Sequence, residues 1–168
     1  VEGDLVYFGL RIDSPFGMEA LVGDQQSCQY NDGVVTTPDG FREAYKAYAE
    51  GGWAGLTGEI TYGGQGMPKT LSALIEEMSF AANSSFALFT ILTTGATLTL
   101  SHHGSDDLKL RYLPKMYEGI WTGTMCLTEP HAGTDLGMIK TRAVPNADGS
   151  YSLSGTKIFI TAGEHDLA

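Results

Sequence analysis

Side chains able to do chemistry gather in one stretch, Cys126, Thr128, Glu129, His131, Thr134 and Asp135, inside a loop stiffened by Pro130 and loosened at Gly133 and Gly137. Hydroxyls on a loop of this composition suit the binding of something polar. The individual groups argue against several chemistries. Neither cysteine has a base beside it in sequence and no serine sits in a GxSxG turn, so nucleophilic catalysis has no support, and Cys126 reads as a packed thiol. Glu129 at a segment end beside Pro130 can act as a general base or anchor loop amides, and we read it as the anchor. His102 and His103 point about 100° apart on a helix, His131 and His165 stand alone, and there is no HExxH, so no metal site is expected. Gly63, Gly64 and Gly66 lack both the dinucleotide spacing, which would place glycine where Lys69 stands, and the GK[ST] of a P-loop; they read as a turn between helices.

The remaining signal is a pair of segments, Met125 to Thr134 and Lys157 to Thr161, each closing an apolar run with hydroxyls. A flat heteroaromatic ring needs apolar cover on its faces and hydrogen bonds at its edge. Met125, Leu127 and Phe159 supply the first, and Thr128 and Thr161 the second. An ordinary hairpin, with threonines favoured by β-propensity, has the same pattern, and composition does not separate the two.

The elements that must position these residues form two blocks. Residues 1–40 read as irregular, loop-like with one short strand. Phe41, Ala44, Tyr45 and Tyr48 recur at helical steps up to Gly51 and Gly52, after a helix entry at Thr37 to Gly40. Leu71, Leu74, Ile75 and Met78 predict a second helix, and Phe86 to Leu100 a third, deeply buried one that falls short of the ~20 apolar residues of a bilayer span. Ser105, Asp106 and Asp107 open a fourth, which Pro114 is expected to kink or end. Beyond Gly119 the pattern turns to strands at Ile120 to Leu127, Ile139 to Val144, Tyr151 to Leu153 and Lys157 to Ile160, with a hairpin turn at Asp148 and Gly149. The expected fold class is α+β: a helical domain over 41–119, then, over 120–168, the first part of a β domain.

Composition bounds the rest. The 168 residues are 42% hydrophobic, enough to bury a core. A net charge of −10, from 20 acidic and 10 basic residues, opposes non-specific binding of nucleic acid. Two cysteines without CxxC spacing fit a reducing compartment, and the cytoplasm is expected. No secretory signal pattern and no membrane anchor are read in the sequence.

From Trp121 through Gly137, then Ser154 through Thr161, the sequence resembles the flavin-binding segments of the acyl-CoA dehydrogenase family. Gly51 to Trp53, Tyr62 to Pro68 and Leu113 to Lys115 resemble its N-terminal helical domain, so the likeness runs from about Asp24 to the end. Phe41 to Trp53 and Gly155 to Asp166 look most like the subgroup acting on 3-methylmercaptopropionyl-CoA. The resemblance implies an all-α N-terminal domain, part of an antiparallel β-barrel middle domain, and FAD as cofactor. It implies oxidation of an acyl-CoA to the 2,3-enoyl-CoA, with an electron-transfer flavoprotein or similar acceptor and a homo-oligomer in the whole protein. By motif position Thr128 with the Met125 and Leu127 backbone would meet the isoalloxazine, Thr161 its N5 side, Phe159 and Ile160 its face, and Thr134 the pyrophosphate and the thioester end of the substrate, with Gly133 also on the cofactor. Met125 and Phe159 depart from the aromatic residue and the tryptophan that the family often carries there. No catalytic residue is assigned in the chain; the base is expected in a C-terminal four-helix domain beyond Ala168, so the 168 residues alone are expected to be inactive. An inactive scaffold of the same fold, or an acyl-CoA oxidase, are the alternatives.

Overall fold

The computed structural model describes residues 22–168 and, before them, only the backbone pairing of two short strands, β1 (Val6–Tyr7) and β2 (Leu10–Arg11). The rest of the irregular N-terminal stretch lies outside the described residues. Within its described part, a short helix α1 (Val22–Gln26) is followed by a hairpin of β3 (Gln29–Asn31) and β4 (Val34–Thr36). Asp32 and Gly33 form its turn with φ of 47° and 89°, the Asp-Gly chemistry that favours two-residue hairpins.

Helix α2 (Phe41–Glu50) starts after Gly40, whose φ of 82° lets the chain enter at an angle that a residue with a Cβ resists. Its Phe41 and Tyr45, one turn apart, bury against Phe86. Phe41 meets Phe86 and Phe89 edge to face, with ring centroids 5.8 and 6.0 Å away. Two single-turn 3₁₀ segments, Trp53–Gly55 and Ile60–Tyr62, lead to α3 (Lys69–Ala82). The glycine cluster between Tyr62 and α3 is a packing turn: a Cβ on Gly64 would lie 2.2 Å from the Gly58 backbone.

α3 and α4 (Ser84–His103) are separated by Asn83 alone, whose side-chain oxygen accepts from Phe86 N at 3.0 Å and caps α4. α4 is longer than the apolar run suggested, and it is not deeply buried: only Phe86, Ala87, Thr93 and Thr97 are, while Leu88 and Leu98 are exposed. By length and composition it could cross a membrane, a signature shared by helices of an apolar protein layer. α5 (Asp106–Tyr117) is capped by the Ser105 hydroxyl, carries Asp106 and Asp107 at its positive end, and buries Leu113, Met116 and Tyr117. Pro114 neither ends nor breaks it, because a proline in the last turn forfeits only one helical hydrogen bond.

The β region is sparser than the sequence suggested. One antiparallel hairpin forms, β5 (Arg142–Pro145) with β6 (Tyr151–Ser154), closed at Asn146 to Ser150 with Gly149 at φ 84°. The strands expected at Ile120 to Leu127 and Lys157 to Ile160 do not form as ladders; they are extended segments joined at isolated points. Two causes are visible. The amide of Gly123 is drawn to the Thr93 hydroxyl of α4, 3.1 Å away, and Phe159 and Ala162 sit at φ of 55° and 51°, outside strand geometry.

Phe41 is fully buried at the centre of the helical layer. Phe41→Ala should cost about 3–5 kcal/mol through lost burial and the cavity left behind. A fall in the urea midpoint at unchanged slope is the expected reading, and an unchanged midpoint would show that this ring is not the core.

Candidate functional site

The site is built on the two extended segments. Met125 forms an antiparallel bridge with Thr161, and three residues on, the Ile158 amide donates to the Thr128 carbonyl at 2.9 Å. These two points set a register in which residue 127 faces residue 159. The Thr124 hydroxyl donates to the Thr161 carbonyl, and Lys157 Nζ donates to the Leu127 carbonyl at 3.0 Å. Met125, Leu127, Thr128, Phe159, Ile160 and Thr161 are thereby brought together. Met125, Leu127 and Phe159 are exposed at 53%, 37% and 84%, a patch of large apolar side chains in contact with water. Ile160, Thr128 and Thr161 are half-buried beside it. Phe159 holds a left-handed backbone, costly for a bulky residue, and such strain persists where surrounding structure enforces it. Cys126 is exposed rather than packed, because the segment is extended on the surface and no second layer covers it.

Gly133 and Thr134 lie apart from this pair, exposed on the loop that follows. No atom stands within 4 Å of where a Gly133 Cβ would be, so its backbone is open to close approach.

That loop is organised by Glu129, which is 3% exposed. Its carboxylate accepts from the Lys140 amide at 2.8 Å, the Thr141 amide at 3.0 Å, the Thr141 hydroxyl at 2.5 Å and Lys157 Nζ at 2.9 Å. His131 Nε2 lies 3.3 Å from the second carboxylate oxygen and 3.1 Å from the Met138 carbonyl. Two acceptors around one nitrogen require that it carry the proton. The Thr141 hydroxyl, then the Lys140 amide and Lys157, hold the Glu129 carboxyl far below the usual carboxylate range, against the opposing effect of burial. A carboxylate so occupied is an anchor and not a base. Its backbone also exchanges two hydrogen bonds with Ala132, closing the turn at Pro130.

Sequence reasoning missed the partners that hold the segments in place. Lys140 and Thr141 sit a dozen residues from Glu129, and no local pattern in the sequence marks them as its partners. Residues 165–167 were missed as well. His165 Nδ1 accepts from the Leu167 amide at 3.2 Å, so in the neutral ring Nε2 carries the hydrogen and donates to the Thr122 hydroxyl at 3.1 Å. Burial pushes its pKa below the ordinary histidine value, with Asp166 and Glu164 opposing. Among the described residues no group of three or more His, Cys, Asp or Glu could hold a metal ion.

Comparison with known proteins supplies the context of this geometry. Residues 31–120 match the family model described as "Acyl-CoA dehydrogenase, N-terminal domain", and residues 124–167 match "Acyl-CoA dehydrogenase, middle domain". A curated relative named 3-methylmercaptopropionyl-CoA dehydrogenase, from Ruegeria pomeroyi, is 46% identical over 89% of the chain and 25% of its own length. A butyryl-CoA dehydrogenase of Syntrophomonas wolfei is 41% identical over 86% of the chain and 24% of its own. The crystal structure of an acyl-CoA dehydrogenase complexed with FAD from Bacillus anthracis superposes with a TM-score of 0.65 at 34% identity, covering 72% of this chain and 21% of that one. The chain spans about a quarter of the length of the curated relatives it matches.

Glu129 should reveal itself through pH. Its folded pKa lies below the unfolded one, so its contribution to stability is complete above the ordinary carboxylate pKa of about 4.3 and fades as pH falls toward the depressed value. Urea midpoints measured between neutral and acid pH should fall less for Glu129→Gln than for the unchanged chain, with the variant less stable at neutral pH. Parallel pH profiles would contradict the anchoring role.

Proposed function

The chain belongs to the acyl-CoA dehydrogenase family, and from that premise we propose that it forms the N-terminal part of an FAD-dependent enzyme oxidising an acyl-CoA thioester to the 2,3-enoyl-CoA. The observation that carries the reading is the joining of residues 125–128 to 158–161, which presents three exposed apolar side chains beside two half-buried hydroxyls. That is the lining a flat redox ring requires, and the residues present fit it.

When bound, the flavin supplies hydride acceptance at its ring as the substrate loses its Cα proton. The chain's own residues hold and shape. Met125, Leu127, Phe159 and Ile160 give apolar cover that keeps water from the ring faces, and the Thr128 and Thr161 hydroxyls orient its edge. Among the described residues the side-chain oxygens of Thr128, Thr134 and Thr161 are not engaged in any hydrogen bond within the protein, which leaves them available to a ligand. Thr134 and the open backbone at Gly133 are assigned to the pyrophosphate and to the thioester end of the substrate. No base is assigned here, since Glu129, the carboxylate of this loop, is occupied by its donors.

The acyl group proposed is 3-methylmercaptopropionyl or another short chain, which the relatives' names support. An electron-transfer flavoprotein or similar carrier is the proposed acceptor, and the whole protein is proposed to be oligomeric. Two free, exposed cysteines support a reducing compartment, and the cytoplasm is the one proposed.

The test is a visible spectrum of the whole purified protein, followed by acyl-CoA-dependent reduction of an artificial electron acceptor. A flavin spectrum and turnover without hydrogen peroxide are expected; a protein that stays colourless and cannot be loaded with FAD refutes the reading. Thr161→Val, which removes one hydrogen-bonding group at the ring edge, should raise the FAD dissociation constant roughly tenfold in a fluorescence titration.

A further inference from the structure

The two segments of the slot meet at few backbone points, supplemented by the side chains of Thr124 and Lys157. They share one bridge and one further backbone hydrogen bond, and two of the residues between and beside those contacts have positive φ. A ladder this short does not hold its own register, so the placement has to come from elsewhere. Glu129 holds one end through Lys157, and residues 165–167 hold the other. Asp166 Oδ1 accepts from the Thr37 amide at 3.0 Å and the Thr37 hydroxyl at 2.7 Å, and its Oδ2 lies 3.9 Å from Arg42 Nε. Leu167 packs on the Phe41, Tyr45 and Phe86 cluster, and the His165 ring stands edge-on to Phe89 at 5.3 Å. The same ring donates to Thr122, three residues before Met125.

Both edges of the slot are thus referenced to one point. Thr161 is four residues from His165, and the other edge is held to that ring through Thr122. The point itself is fixed to the junction between β4 and α2 in the helical layer.

We propose that His165 and Asp166 are positioning residues for the ring-binding slot, acting with Thr37 and Thr122 to set residues 158–161 against 125–128 without touching the ring. What the slot holds rests on the flavin reading above; the latch stands on its contacts alone. Because Asp166 is charged, losing the Thr37 hydroxyl bond alone loosens the slot by one hydrogen bond to a charged group, roughly a tenfold change, and losing the carboxylate loosens it by at least as much.

The experiment compares the whole protein, unchanged, with its Thr37→Val, Asp166→Ala and conservative Thr37→Ser variants. Hydrogen exchange of the Ile158 amide, which donates to the Thr128 carbonyl, is followed alongside that of amides in the middle of α3. Thr37→Val should exchange about tenfold faster at the slot and Asp166→Ala at least as fast, both unchanged in α3, and Thr37→Ser should keep the original rate. Unchanged exchange at the slot overturns the proposal. So does an equal acceleration in α3, which would mark a loss of global stability only. In parallel each chain is titrated with FAD. Weaker binding in the two disruptive variants, rescued by serine, supports the positioning role, and equal binding by all of them overturns it. If the unchanged whole protein takes up no FAD while the exchange pattern holds, the flavin reading fails and the latch remains.

Discussion

A carboxylate almost wholly removed from water must be met by donors on every side, and the β region is arranged around meeting that requirement at Glu129. Its partners come from two places in the chain: Lys140 with Thr141, through both amides and the Thr141 hydroxyl, and Lys157, through its ammonium. Each tie carries a consequence. Lys140 and Thr141 bring the end of the loop back beside its start and lead directly into β5, while Lys157 opens the second segment of the slot and also reaches the Leu127 carbonyl. Removing such a group leaves buried donors unmatched, which is why one side chain can govern the path of some thirty residues.

The slot needs both this anchor and the helical layer. Threonines along α4 show how the layers meet: Thr90 and Thr97 return their hydroxyls to the helix's own carbonyls, but Thr93 receives the Gly123 amide. Gly123 allows that approach, since a Cβ there would stand 2.4 Å from the Ala96 methyl. Tyr45 adds a bond from its hydroxyl to the Gly119 carbonyl, so the chain leaving α5 is held against α2 and α4 before it reaches Met125. Burial pushes the Tyr45 pKa up to about 12, which keeps that donor protonated across the physiological range.

Much of this was legible in the residues. Period-3.6 spacing at Phe41, Ala44, Tyr45 and Tyr48 marked α2, the Ser105-Asp106-Asp107 start marked α5, and Asp148-Gly149 marked the β5–β6 turn, because each is a local rule satisfied within a few residues. The Asp32-Gly33 turn carried the same signal as the second hairpin and was overlooked inside a stretch without periodicity. Strand expectations at Ile120 to Leu127 and Lys157 to Ile160 failed for a different reason. Apolar β-prone runs say that a segment is extended, and they are silent on whether a neighbour completes a ladder. The same gap explains Cys126, apolar in context and exposed in fact.

The amino-acid order by itself therefore determined the helices, the turns, the family and the identity of the two segments that meet, since these depend on local propensity or on motifs readable in line. Only the tertiary structure decided that Met125 lies against Thr161, that Glu129 gathers Lys140, Thr141 and Lys157, and that Asp166 reaches back across more than a hundred residues to Thr37. Hydrogen bonds to buried or half-buried charges are set by which surfaces are closed off from water, and that is a property of packing between distant parts of the chain.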